Sequence, residues 1–335
     1  MLTVLLIVFL LGCLLGRLAA GWAAQMLEGM NSGGLLMCSE CDGKLSVWQR
    51  WFCPTPVKCP CGQSKKVFWH LGSTVVLGTL SAFFAWSLLG PWNCQGIHEV
   101  RPEAALLWSR LPLHLALLFL LWVAVLTDLL DYVIPDEVIW SGIGVAVVSA
   151  FVSGELQMVH IWVNWDEAVV SLSGPWLPEW MKHHQHLHGL AWSLTGAFVG
   201  ATLIWLLRWL SGRILGYPAL GLGDVTLMAM IGAFLGWQPA VLVIALAPLT
   251  GIVIGLGVRL VSDRSFVAYG PWLACSAFVV MCSWRFLWAE PLMLRNIFGH
   301  WPSLLILAAI CYGSLIILLT GLRLFRRIPT GSLRR

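Results

Sequence analysis

Charge is what this chain has least of: of its 335 residues only 11% are Asp, Glu, Lys or Arg. Ordinary soluble proteins are about a quarter charged. So little polar surface cannot cover a core of this size in water, which excludes a soluble globular protein and leaves lipid as the expected covering. The net charge of +4 is too small for a nucleic-acid footprint and reads instead as a topology signal. No basic residue precedes the first apolar stretch, which argues against a cleaved secretory signal even though Leu10-Leu11-Gly12-Cys13 looks like a lipoprotein cleavage box. The H-E-x-x-H metalloprotease motif is absent, no Ser/His/Asp or Cys/His set stands out, and no internal repeat of fixed period is visible.

What is present is apolar: 59% of the residues are hydrophobic. The uncharged runs 1–16, 71–92, 111–127, 138–153, 189–207, 225–258, 266–284 and 302–322 compare with the roughly 20 residues that a bilayer crossing takes. Run 225–258 is too long for one crossing and holds the turn signal Gly236-Trp237-Gln238-Pro239, so it divides in two. The expected fold is an all-α polytopic membrane protein with about nine transmembrane helices and a small cytoplasmic zinc-binding insert. Placing the N-terminus outside leaves only Arg101, Arg110, Lys182, Arg285 and Arg295 of the 20 basic residues in outer segments, so the C-terminus is expected inside. Along the chain this gives a first span (1–16), a cytoplasmic cysteine-rich insert (17–70), a helical bundle (71–322) and a basic cytoplasmic tail (323–335). Outer segment 154–188 ends in a histidine-rich stretch from His183 to His188, expected to be a solvated loop.

Five of the 10 cysteines crowd into the insert: Cys38, Cys41, Cys53, Cys59 and Cys61. Cys38-Ser39-Glu40-Cys41 is a knuckle that brings two thiolates to one metal, and Cys59-Pro60-Cys61 is a tighter pair. Four such ligands suit a structural Zn²⁺ on the reducing side of a membrane, with Cys53 as an alternative to Cys59. The other cysteines read as small apolar packing residues.

Acids at a membrane boundary are expensive unless solvated or used. Asp128 closes an otherwise apolar run, and Asp131, Asp136 and Glu137 follow it. Asp224 follows Gly221-Leu222-Gly223, where it serves equally well as a helix N-cap. In the expected topology the third span arrives inside at Asp128 and the sixth leaves from inside at Asp224. Two carboxylates brought close cannot both ionise cheaply. Such a pair holds one base and one acid, the arrangement that activates water against a peptide carbonyl.

These blocks resemble the type IV prepilin peptidase family, the GxGD-type membrane aspartyl proteases. Asp128 followed by Ile134-Pro135-Asp136 is similar to its first block, and Gly221-Leu222-Gly223-Asp224 to its second and most specific. Tyr269-Gly270-Pro271 is similar to a later one, and the paired Cys38/Cys41 and Cys59/Cys61 to the cysteines of its cytoplasmic domain. The resemblance implies catalytic Asp128 and Asp224, supported by Gly221, Gly223, Pro135, Asp136, Gly270 and Pro271. It implies no cofactor for proteolysis. It implies an inner-membrane enzyme that removes the basic leader of type IV pilin or type II secretion pseudopilin precursors after a Gly, on the cytoplasmic side. Many members then methylate the new N-terminus with S-adenosylmethionine. Two departures are Thr226, where Lys is frequent, and the C-x-C form of the second cysteine pair. The partners expected are precursor proteins and membrane lipid, with no nucleic acid. The competing readings are a transporter or channel that uses intramembrane acids, a GxGD protease for other leaders such as preflagellins, and an inactive assembly scaffold.

Overall fold

The computed structural model describes residues 1–27, 57–58, 64–65, 68–97, 104–162, 179–261, 269–289 and 294–327. The first helix, α1 (Leu2–Leu27), runs well past Gly16, where the expected span ended. Its second half is alanine-rich, a composition that costs little backbone or side-chain entropy in a helix. Ala19, Ala20 and Ala23 are fully buried there. The insert contributes a small antiparallel ribbon, β1 (Val57–Lys58) and β2 (Ser64–Lys65), pairing Val57 with Lys65 and Lys58 with Ser64. The bundle then follows as α2 (Phe68–Leu89), α3 (Ala104–Asp131), α4 (Asp136–Ser153), α5 (Glu179–His183), α6 (Gln185–Leu215), α7 (Leu222–Leu235), α8 (Trp237–Val261), α9 (Gly270–Trp288), α10 (Arg295–Phe298) and α11 (Trp301–Arg327).

Among the described residues, seven helices are long and apolar enough to cross a membrane: α1, most of α2, Leu107–Asp131 of α3, α4, α6, α9 and Trp301–Gly321 of α11. The chain is a multi-pass membrane protein. The expected count of about nine includes two further apolar segments, Leu222–Leu235 and Trp237–Val253, that fall below that length. They meet at Gly236, whose φ of 87° turns the chain where an L side chain would be strained. At about 1.5 Å per residue, α7 is only about 21 Å long, short of a hydrocarbon core of about 30 Å.

Burial explains how so short a helix is accommodated. Leu227, Met228, Met230, Ile231, Gly232, Ala233, Phe234 and Leu235 are all buried, and α3, α4, α6, α8 and α9 pack around them. The second half of α7 and the break at Gly236 therefore meet protein instead of hydrocarbon, the condition under which irregular backbone is tolerated at membrane depth.

Small residues set these packing distances. A Cβ built on Gly232 would lie 2.1 Å from the Gly196 carbonyl oxygen, and one built on Gly196 would lie 2.0 Å from that of Gly232. Gly200 faces the Met228 carbonyl in the same way, and Ser193 Oγ donates to the Ala233 carbonyl at 2.8 Å. Helices α1 and α2 use the same device: Gly12 abuts Gly78 and Ser81, and Ser73 Oγ donates to the Gly16 carbonyl at 2.7 Å. Close backbone approach through small residues is the usual glue between membrane helices, where lipid removes the hydrophobic drive to associate.

Gly232→Ala forces backbone against backbone and is expected to destabilise the protein by about 3 kcal/mol or more, the upper end of ordinary overpacking. Gly144→Ala, with open space around its new Cβ, should leave stability unchanged or slightly raised. Thermal unfolding of the two variants in the same detergent checks the contrast, and equal melting temperatures would refute it.

Candidate active site

Three helix ends meet at one end of the bundle. Helix α3 arrives there carrying Asp128 in its last turn. Helix α7 departs from there with Asp224 in its first turn, and α9 departs beside them from Gly270. Asp128 is 6% exposed and Asp224 8%, so both of the acids singled out in the sequence are buried. Asp136 and Glu137 are exposed in the first turn of α4, where their charges suit the helix dipole, and Asp131 is half-buried at the end of α3. Depth separates Asp128 from its acidic neighbours.

Each buried carboxylate is held by a glycine amide. The Gly221 N–H donates to Asp224 Oδ2 at 2.8 Å, so Asp224 caps its own helix, and the Gly270 N–H donates to Asp128 Oδ2 at 3.0 Å. Neither Oδ1 takes a hydrogen bond from any described residue. The two carboxylates act on each other electrostatically. Gly270 is required by space: a Cβ there would lie 2.5 Å from Asp128 Oδ2. Pro271, buried at the start of α9, needs no helical partner for its missing N–H.

Ile134 ties the two acids to one frame. Its Cδ1 lies 3.5 Å from the Cβ position of Gly270 and 3.4 Å from that of Gly223. It reaches there because Tyr132, in the left-handed region at φ 57°, ends α3, and buried Pro135 then caps α4 in extended conformation. The spacing from Asp128 to Ile134-Pro135 is thus the length of chain needed to turn back over the acid. Asp136, by contrast, points to solvent as the first residue of α4.

Sequence reasoning missed two contributors, Arg208 and Ser211, and met a third, Tyr269, only as part of the Tyr269-Gly270-Pro271 block. Arg208 of α6 donates through Nη1 to the Leu220 carbonyl, and its guanidinium acts electrostatically on Asp224. Ser211 accepts the Ala219 N–H at 3.0 Å, which pins the loop that leads into Gly221. Tyr269, just before α9, has its phenol pushed up to about 12 by burial and by the Asp224 carboxylate. In the sequence Arg208 is one more basic residue on the inner side of the expected topology. Only contacts between helices distinguish it from the other arginines.

The expected zinc ligands Cys38, Cys41, Cys53, Cys59 and Cys61 lie outside the described residues. Of the histidine stretch, His183 closes α5 and His186 sits in the first turn of α6; His183, His184 and His186 are exposed, while His188 is buried against Trp180 and His160. Among the described residues no three His, Cys, Asp or Glu side chains converge as a metal site.

Residues 115–256 match the type IV leader peptidase family. The match includes Asp128, Pro135, Asp136, Gly221, Gly223 and Asp224, and stops before Gly270 and Pro271. The chain is similar to the prepilin leader peptidase/N-methyltransferase of Pectobacterium carotovorum subsp. carotovorum, with 40% identity over 102 residues, 28% of this chain and 37% of that protein. It is similar to the protein of that name from Pseudomonas putida, with 26% identity over 188 residues, 54% of this chain and 52% of that one. It is similar to that of Pseudomonas aeruginosa, with 32% identity over 109 residues, 32% of this chain and 38% of that one. The chain therefore spans between about a third and a half of the length of these relatives. No solved structure matches it.

The grip on Asp128 predicts a strong coupling. Gly270→Ala alone should lower stability by about 2 kcal/mol, within the range for a forced contact. In an Asp128→Ala background the collision is gone, and the same change should cost little. A double-mutant cycle by thermal unfolding measures this; additive effects would mean that the two residues do not touch.

Proposed function

We propose that this chain, whose residues 115–256 match the type IV leader peptidase family, is an aspartic endopeptidase of the bacterial inner membrane, cleaving the leaders of type IV pilin-like or pseudopilin precursors. One observation carries the reading. Asp128 and Asp224, brought to one end of the bundle and buried there, each accept a glycine amide on one oxygen, with no hydrogen bond from a described residue to the other.

The chemistry follows from that geometry. One carboxylate takes a proton from water as the water attacks the scissile carbonyl. The other, protonated, donates to the carbonyl oxygen; as the tetrahedral intermediate collapses, the proton taken from water passes to the leaving amine and the proton on the carbonyl oxygen returns to the second carboxylate, restoring the pair. The glycine amides hold each carboxylate in orientation through this exchange. Ile134 and the buried ends of α3, α7 and α9 fix the separation between them. Arg208 steadies the loop that leads to Asp224. A precursor whose polar leader gives way to an apolar helix presents that junction at the depth of these helix ends. The bias of the basic residues supports an orientation with this end on the cytoplasmic side, the N-terminus outside and the C-terminus inside. The acids close helix ends instead of facing each other across mid-span, which favours hydrolysis over a proton or cation pathway. Preflagellin-type leaders would be cut by the same chemistry.

Cys38, Cys41, Cys59 and Cys61, with Cys53 as alternative, would hold a structural Zn²⁺. The thiol donor set suits that ion, and the β1–β2 ribbon flanks the second pair in sequence. The relatives' name includes N-methyltransferase. Methylation of the mature N-terminus would draw on S-adenosylmethionine as methyl donor, and no residue is assigned to that step.

Asp128→Asn and Asp224→Asn should each abolish leader removal from a co-expressed prepilin, read as a mobility shift, while the protein still inserts at normal level. Full processing by either variant would overturn the dyad. Mass spectrometry of the mature N-terminus locates the cut and shows whether a methyl group is added. Purified protein should carry roughly one zinc ion per chain, as a four-thiolate site takes, and lose it in the Cys38→Ser, Cys41→Ser double variant. Zinc unchanged by that substitution would exclude these ligands.

A further inference from the structure

The end of the bundle away from the two acids holds a second feature, a pair of thiols. Cys94 lies in the connection after α2 and is fully buried; Cys282 lies towards the far end of α9, 7% exposed. Three hydrogen bonds clamp the connection to that part of α9. The Arg285 N–H donates to the Cys94 carbonyl at 2.7 Å, the Cys94 thiol meets the Met281 carbonyl at 3.4 Å, and Gln95 Nε2 donates to the same carbonyl at 3.5 Å. Cys94 is thereby bonded to residues on either side of Cys282.

The two thiols are also electrostatic neighbours. Cys94 Sγ lies 3.6 Å from Ser87 Oγ, and Cys282 directly follows Met281, whose carbonyl the Cys94 thiol meets. Ser87 gives its own hydrogen to the Phe84 carbonyl at 2.8 Å, so its oxygen is left to accept from Cys94. Residues 187 and 186 positions apart in the chain are in this way closed onto each other across the bundle. Nothing in the proposed peptidase chemistry uses them.

We propose that Cys94 and Cys282 form a disulfide that ties the α2–α3 connection to α9 on the extracytoplasmic side of the membrane. The compartment rests on the reading above, which puts Asp128 and Asp224 on the cytoplasmic side and so this end in an oxidising environment. The oxidant is a thiol–disulfide oxidase of that compartment. The thiolate of one cysteine attacks the oxidase's disulfide, giving a mixed disulfide and releasing one oxidase thiol. The second cysteine, losing its proton, then attacks the mixed disulfide, which forms the Cys94–Cys282 bond and releases the second oxidase thiol. Two electrons and two hydrogens pass from the cysteine pair to the oxidase. Burial pushes the Cys94 thiol up to about 11, so the packed bundle offers little thiolate, and the exchange belongs to the time before α9 has closed over the connection. The bond, once packed, is sheltered from reductant.

The test is made on the full chain in its own membrane. Cells are quenched in acid, the protein is denatured with N-ethylmaleimide and without reductant, and its peptides are mapped by mass spectrometry. A linked peptide pair containing Cys94 and Cys282, which separates on reduction, is the expected result. Maleimide on both residues would overturn the proposal. A topology reporter inserted after Gly154 separates two kinds of failure. Free thiols with the reporter outside defeat the disulfide alone; free thiols with the reporter inside defeat the orientation on which the cytoplasmic site also depends. A Cys94→Ser variant should leave Cys282 fully alkylated, and a Cys282 still unmodified there would likewise count against the pairing.

Discussion

The contact on which the rest depends is backbone against backbone, Gly196 of α6 on Gly232 of α7. Each glycine stands where the other helix's carbonyl oxygen leaves no room for a single carbon. That approach draws α7 into the middle of the bundle, where a helix too short to cross hydrocarbon is shielded by its neighbours between Leu227 and Leu235. Once α7 is seated, its N-terminus is set, and with it Asp224. A membrane offers no hydrophobic force to correct a poor fit between helices, so shape has to do the sorting. Glycine supplies the shape here, and its entropic disadvantage in helices is repaid by burial of an otherwise unplaceable segment.

The second constraint joins separate parts of the chain. Asp128 ends one helix, and the amide that holds it begins another, 142 residues later. The same carboxylate oxygen that accepts this bond also forbids a side chain at Gly270. Ile134 fills the corner between that glycine and Gly223. The acids are thus located by helix ends packed against one another, while the loops between them only return the chain. Sites held in this way keep their geometry better than sites carried on loops.

Much of this was legible from residue order. Scarcity of charge announced the membrane, and Gly236 marked the break between α7 and α8. Spacing to Ile134-Pro135 separated Asp128 from three nearby acids that proved to be more exposed. What residue order could not supply was adjacency between helices. Arg208 and Ser211 are ordinary in composition and become notable only beside Asp224 and the loop that leads to it. The extension of α1 to Leu27 was hidden by Arg17, a charge that one face of a long helix carries without ending it. Cys94 and Cys282 read as packing residues because nothing in the chain says that they meet.

Helix α11 makes the opposite bargain to α7. Only 6% of its apolar stretch is buried in protein, and its main neighbours are α6 and α10. Lipid, not the bundle, holds most of it in place. A closed body containing every residue of the candidate site exists without it. Its addition or loss in evolution would change the parity of the chain, moving the C-terminus from one face of the membrane to the other, while the machinery around Asp128 and Asp224 stayed as it is.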